Sequence, residues 1–182
     1  MNKNLPFTEF LNEKLPFIDR CSTIDGLNIL VNDQLEAITA VKSQINSIKL
    51  VVDKIYNHLK NCNTSRLVYC GAGTSGRIGV QDGAELYPTF GWPKSRFDFI
   101  IAGGKEALTE SIEDAEDNQI AAEELCKKKN ISKNDILIGI SASGNTPFTS
   151  KAILEASKVG ALTIGISNNP LGEMLKYSNL NI

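Results

Sequence analysis

Two stretches of this chain combine glycine, serine and threonine in a pattern that suits one task, the holding of a phosphate. The first runs Gly71-Ala72-Gly73-Thr74-Ser75-Gly76-Arg77, and the second runs Ser141-Ala142-Ser143-Gly144-Asn145-Thr146. Small residues let a ligand come close to main-chain N–H groups, and a helix N-terminus favours an anion there. Gly73, Thr74 and Ser75 of the first stretch, with Ser141, Ser143 and Thr146 of the second, are the candidate ligands. One such loop alone is explained as well by serines that cap a helix. Two of them at one edge of a sheet favour the phosphate.

Each stretch follows a short apolar run that reads as a buried strand. Strands are expected over 66–70, 97–102, 135–140 and 161–166, with a fifth opening at 179–182. Between them lie helical patterns. Residues 1–22 read as irregular, with Pro6 and Pro16, and Thr23 to Val31 as one short helix. Asp33 and Glu36 resemble a capping box, from which Leu35, Ile38, Val41, Ile45, Ile48, Val52, Ile55 and Leu59 continue at helical spacing to about residue 61. A helix over 77–86 must stop before Pro88. A further helical stretch covers about 106–128 with one interruption. Pro147 opens a helix that Gly160 ends, and 171–177 is a short helix. Near-continuous apolar strands alternating with helices indicate an α/β fold, a doubly wound parallel sheet whose ligands bind outside the carboxyl ends of the strands.

Composition removes other classes. The 182 residues suffice for one domain with a core, and a net charge of −2 gives no footprint for nucleic acid. The only basic cluster, Lys127-Lys128-Lys129, sits where a helix C-terminus favours cations. Four cysteines without a C-x-x-C and a single histidine, His58, give no basis for a metal site and read as reduced intracellular thiols. No stretch reaches membrane-spanning length and the N-terminus has no apolar signal core, so a cytoplasmic protein without a membrane partner is expected. Gly71-x-Gly73-x-x-Gly76 also fits a dinucleotide fingerprint. That reading wants an acidic residue at the end of the second strand, yet this strand ends Ile101-Ala102-Gly103-Gly104, with Glu106 the nearest acid. The lack of Gly-Lys-Ser/Thr argues against a nucleoside triphosphatase.

The paired loops resemble the sugar isomerase (SIS) domain, in which they bind the phosphate of a phosphosugar. Gly71 to Glu85, Pro88-Thr-Phe-Gly91, Ile101 to Gly104, Glu113 to Asp117 and Ile166-Ser-Asn-Asn-Pro170 narrow the resemblance to the N-acetylmuramic acid 6-phosphate etherases. Arg20-Cys-Ser-Thr23 and Val31-Asn-Asp33 extend it upstream, so that it covers roughly 12–182. The resemblance implies a flavodoxin-like three-layer SIS domain over 63–182, preceded by a segment of irregular chain and long helix over 1–62, and ending short of the family's C-terminal part. Asn145 stands where the family carries Arg, Ser141 where it carries Ala, and Gly83-Ala84 where it carries Ala-Ser.

It also implies a reaction: removal of D-lactate from carbon 3 of a phosphorylated amino sugar by elimination and then hydration, with no cofactor. The family's two catalytic glutamates fall on Glu85, as the acid for the departing lactate, and on Glu116, as the base. A regular helix would put Glu85 on the order of 15 Å from Ser75. Either that helix bends back or Glu85 serves a second subunit, and a homodimer with shared sites is the expectation. The competing functions are a phosphosugar-binding regulator of the glucokinase-regulatory type and an aldose–ketose isomerase.

Overall fold

Side chains alternate along a strand, so each strand of a covered sheet feeds two cores. The computed structural model describes residue 8 and residues 16–182, and in it five parallel strands form one sheet. They are β1 (Leu67–Gly71), β2 (Phe97–Ile101), β3 (Ile136–Ile140), β4 (Leu162–Ile166) and β5 (Leu180–Asn181), in the order β2-β1-β3-β4-β5. Val68, Cys70, Ile100 and Leu137 enter one core, closed by Ala122 and Cys126 of α4 (Gln119–Lys128) and by Phe148, Ala152, Ile153 and Ala156 of α5 (Pro147–Lys158). Ile136, Ile138 and Ile164 enter the other, beside Leu67, Tyr69 and Ile140 and against Val51, Ile55 and Leu59 of α2 (Ile45–Asn61). The α/β doubly wound sheet is therefore present, and its strand order is the flavodoxin-like one.

Helix α3 (Gly73–Phe90) shares α2's face of the sheet and lies close to it through buried Gly76, Gly79 and Gly83. A Cβ on Gly79 would stand 3.0 Å from Ile140 Cδ1, and one on Gly83 only 2.1 Å from the Phe97 ring. Phe97 thus fills the space that a side chain at 83 would need.

Several boundaries differ from the sequence expectation. The first helix does not stop at Val31. α1 (Thr23–Ser43) is continuous and breaks only at Gln44, because nothing between Leu27 and Ser43 interrupts a helix. Its cap is Ser22, whose hydroxyl accepts the Asp25 N–H at 3.3 Å and donates to the Asp25 carboxylate at 2.6 Å, so the box expected at Asp33 is not used. α3 runs through Pro88 to Phe90, since a proline in the last turn forfeits only one internal hydrogen bond. Gly91, at φ 66°, then ends it, with the Trp92 N–H donating to the Leu86 carbonyl. Over 106–128 only α4 is a true helix. Before it come two 3-10 turns, Glu106–Leu108 and Ala115–Asp117, and a left-handed Asp114. The expected short helix at 171–177 is a 3-10 turn, Glu173–Lys176. The irregular reading of 1–22 falls mostly outside the described residues, and within them Ile18–Arg20 is a 3-10 turn.

The contact between Gly83 and Phe97 makes a stability prediction. Gly83→Ala should lower unfolding stability by about 2 kcal/mol, the usual range for overpacking. Phe97→Leu in the same chain should recover more than it costs, and urea denaturation of the three variants would show purely additive losses if the contact were slack.

Candidate functional site

Register places four strand ends in one row. Gly71 pairs with Ile101 and with Ile140, and Ile140 pairs with Ile166. The loops that follow β1, β2, β3 and β4 therefore leave from a single edge. From β1 the chain steps to β2 on one side and, through β3, to β4 and β5 on the other. The crevice between β1 and β3 is thus the switch point at which such sheets take ligands, and the two serine- and threonine-bearing loops flank it.

The first loop is shaped by backbone contact. A Cβ on Gly71 would lie 2.8 Å from Gly76 Cα, and one on Gly76 would lie 2.9 Å from the Gly71 carbonyl. Strand and helix meet there with no room for a side chain. Gly73 adopts φ +51°, and nothing stands within 4 Å of the place a Cβ would occupy. That opening leads to the first turn of α3, where Thr74 is exposed and Ser75 half-buried. No side chain caps α3 at Ala72 or α5 at Thr146. The first-turn N–H groups of α3, and those of Phe148 and Thr149 in α5, where Pro147 has none, carry no side-chain cap, and the helix-capping explanation of these serines does not hold.

The second loop is shaped by hydroxyls. Ser141 Oγ, buried, accepts the Gly144 N–H at 3.1 Å and shares a hydrogen bond with Thr146 Oγ1 at 2.9 Å. Ser143 Oγ, half-buried, accepts the Asn145 N–H at 3.1 Å. Residues after β4 brace it from behind, a part the sequence reading missed. Asn169, buried, donates from Nδ2 to the Ser143 carbonyl at 2.9 Å and accepts the Leu171 N–H at 3.1 Å. Asn145 Oδ1 accepts the Glu173 N–H at 2.9 Å. The only signal for this brace was the polar run Ser167-Asn168-Asn169 before Pro170.

The two candidate glutamates part company. Glu116 lies on the Ala115–Asp117 turn and lines a cavity of about 230 Å³ together with Ala72, Gly73, Arg77 and Glu113. It is exposed, on a turn rather than on the face of a regular helix. Glu85 is exposed on α3, which is unbroken from Gly73 to Phe90, and does not line that cavity. At about 1.5 Å per residue it stands on the order of 15 Å along the helix from Ser75. The helix does not bend back. Among the described residues no group of His, Cys, Asp or Glu is arranged to hold a metal ion. The thiol of Cys62, 3.2 Å from Thr64 Oγ1, lies before β1, at the other end of the sheet.

Comparison with known proteins agrees with this fold. Residues 48–157 match the family model described as the glucokinase regulatory protein N-terminal SIS domain. An N-acetylmuramic acid 6-phosphate etherase of Clostridium acetobutylicum is 42% identical over 162 residues, 89% of this chain and 53% of the relative. Another, of Mycoplasma mycoides, is 39% identical over 172 residues, covering 94% of this chain and 56% of the relative. The chain thus spans about half the length of these curated relatives. Among solved structures, a phosphoheptose isomerase from Francisella tularensis superposes with a TM-score of 0.64 at 16% identity, over 88% of this chain and 84% of that one.

Ser141→Ala removes the hydroxyl that both Gly144 and Thr146 use. It should weaken binding of inorganic phosphate, used as the probe for this loop, about tenfold, near 1.4 kcal/mol, by titration calorimetry. An unchanged Kd would show that the loop's shape does not matter to the anion.

Proposed function

This chain belongs to the SIS-domain family, and from that premise we propose that it is the phosphosugar-holding part of a lyase of the N-acetylmuramic acid 6-phosphate etherase kind. The observation that carries this reading is the cavity in which Gly73 of the phosphate loop and the carboxyl group of Glu116 meet. The substrate is N-acetylmuramic acid 6-phosphate, and the products are N-acetylglucosamine 6-phosphate and D-lactate. The whole activity belongs to a chain of the relatives' length.

The chemistry follows from a phosphate anchored at the first turns of α3 and α5. Gly73, Thr74 and Ser75 contact it from one side, and Ser143 and Thr146 from the other, while Ser141 holds the loop in shape. In the open-chain aldehyde the proton on carbon 2 is acidic, and Glu116 removes it. The carbon 3–oxygen bond then breaks, and a second carboxylic acid gives its proton to the lactyl oxygen. Water adds across the double bond to restore the hydroxyl at carbon 3. The scheme calls on no metal or organic cofactor, and positioned acid–base groups of this kind contribute about 10²–10⁴ each.

Glu85 supplies the second proton from another copy of the chain. Its separation from Ser75 along α3 supports a shared site. So does α1, which leaves Ile24, Leu27, Val31, Leu35, Ile38 and Val41 more than half exposed, an uncovered apolar face suited to a second chain. The enzyme works as a homodimer in the cytoplasm, where its four free cysteines stay reduced and where sugars released from the cell wall are recycled. The regulatory protein in the family's description favours a second reading, binding without turnover. Release of D-lactate separates the two.

The test is D-lactate release from N-acetylmuramic acid 6-phosphate by the protein that carries this chain. Glu116→Gln and Glu85→Gln should each lower kcat about a thousandfold. Tight sugar-phosphate binding without any lactate would instead establish the regulator. Mixing Glu85→Gln with Ser143→Ala chains should restore part of the activity. Verified mixed dimers that stay inactive would place Glu85 outside a shared site.

A further inference from the structure

The cavity at Gly73 has a roof, and one side chain fastens it. Residues 103–117 pass over the first turn of α3 without forming a regular helix, through two 3-10 turns and left-handed Gly103, Gly104 and Asp114. Ala107 is buried, and Ile112 packs where a Cβ on Gly103 would stand, 2.9 Å away. Arg77, one turn beyond the phosphate loop, donates from Nε to the Ala107 carbonyl at 2.7 Å and from Nη2 to the Glu110 carbonyl at 2.7 Å. Among the described residues these are the only side-chain hydrogen bonds that join 103–117 to the rest of the protein. The same guanidinium lines the cavity with Glu116.

We propose that Arg77 is a positioning residue, a strap that ties the acidic roof to α3 and so holds Glu116 over Gly73. A planar fork can engage two carbonyls at a fixed separation, which a lysine cannot reproduce. Glu116, six residues beyond Glu110, takes its place from that attachment. Its catalytic consequence rests on the reading of Glu116 as the base.

A double-mutant cycle tests the proposal. Arg77→Ala should lower kcat for lactate release about a hundredfold, the cost of a displacement near 1 Å, with KM changed less than threefold. In a Glu116→Gln background the same substitution should change kcat less than twofold, because its effect runs through Glu116. Equal losses in both backgrounds overturn the strap. Arg77→Lys should behave like Arg77→Ala, and wild-type activity in it would overturn the role of the fork. If Glu116→Gln leaves kcat unchanged, the functional reading fails, and hydrogen exchange decides the strap alone. Amides of 103–117 should then exchange at least tenfold faster in Arg77→Lys while those of α5 do not change. Unchanged exchange in the roof overturns the proposal.

Discussion

The contact between Gly71 and Gly76 is the constraint on which the rest of the site depends. Two backbones touch where β1 becomes α3, so close that neither residue could carry a methyl group. That approach sets the point at which the helix starts and aims its positive end at the crevice beside β3. The interior of α3 contains three buried glycines, Gly76, Gly79 and Gly83, each unfavourable by about 1 kcal/mol against alanine. The loss is offset by packing against Tyr69, Phe97 and Ile140 that no larger residue would allow.

The 71–77 loop has a neighbour on either side, and the two are built differently. Hydroxyls and the Asn169 amide fix the 141–146 loop, which stands on the well-packed core beneath α5. The opposite side, 103–117, has little backbone bonding of its own, and residues 111–113 donate no backbone hydrogen bond among the described residues. A segment bonded so sparsely sits at the low end of local stability. On the proposed reading, phosphate recognition falls to the stiff side and Glu116 to the side that can adjust.

Much of this was legible in the sequence. Buried parallel strands are continuous apolar runs, so all five were found within a residue or two, and glycine-rich ends exposed the ligand edge. The isolation of Glu85 was legible too, because helix rise is a fixed length. Three features were not. Pro88 reads as a stop, yet its cost depends on how near the helix end it lies. The continuity of α1 hides behind Asp33, a strong capping type that the helix carries on its exposed surface. The nearness of Glu116 to Gly73 depends on an arginine that reaches carbonyls some thirty residues away, and no local pattern encodes that reach.

Residues far apart in order of synthesis complete the phosphate loop. The first half is made at 71–77, the second at 141–146, and its brace, through Asn169, Glu173 and Met174, later still. A chain emerging from the ribosome cannot present a finished anion pocket until its last brace has cleared the exit tunnel. An anion held there would act only on the completed sheet and give no aid to the early stages of folding. The order of synthesis thus puts the core before any ligand that the loops would hold.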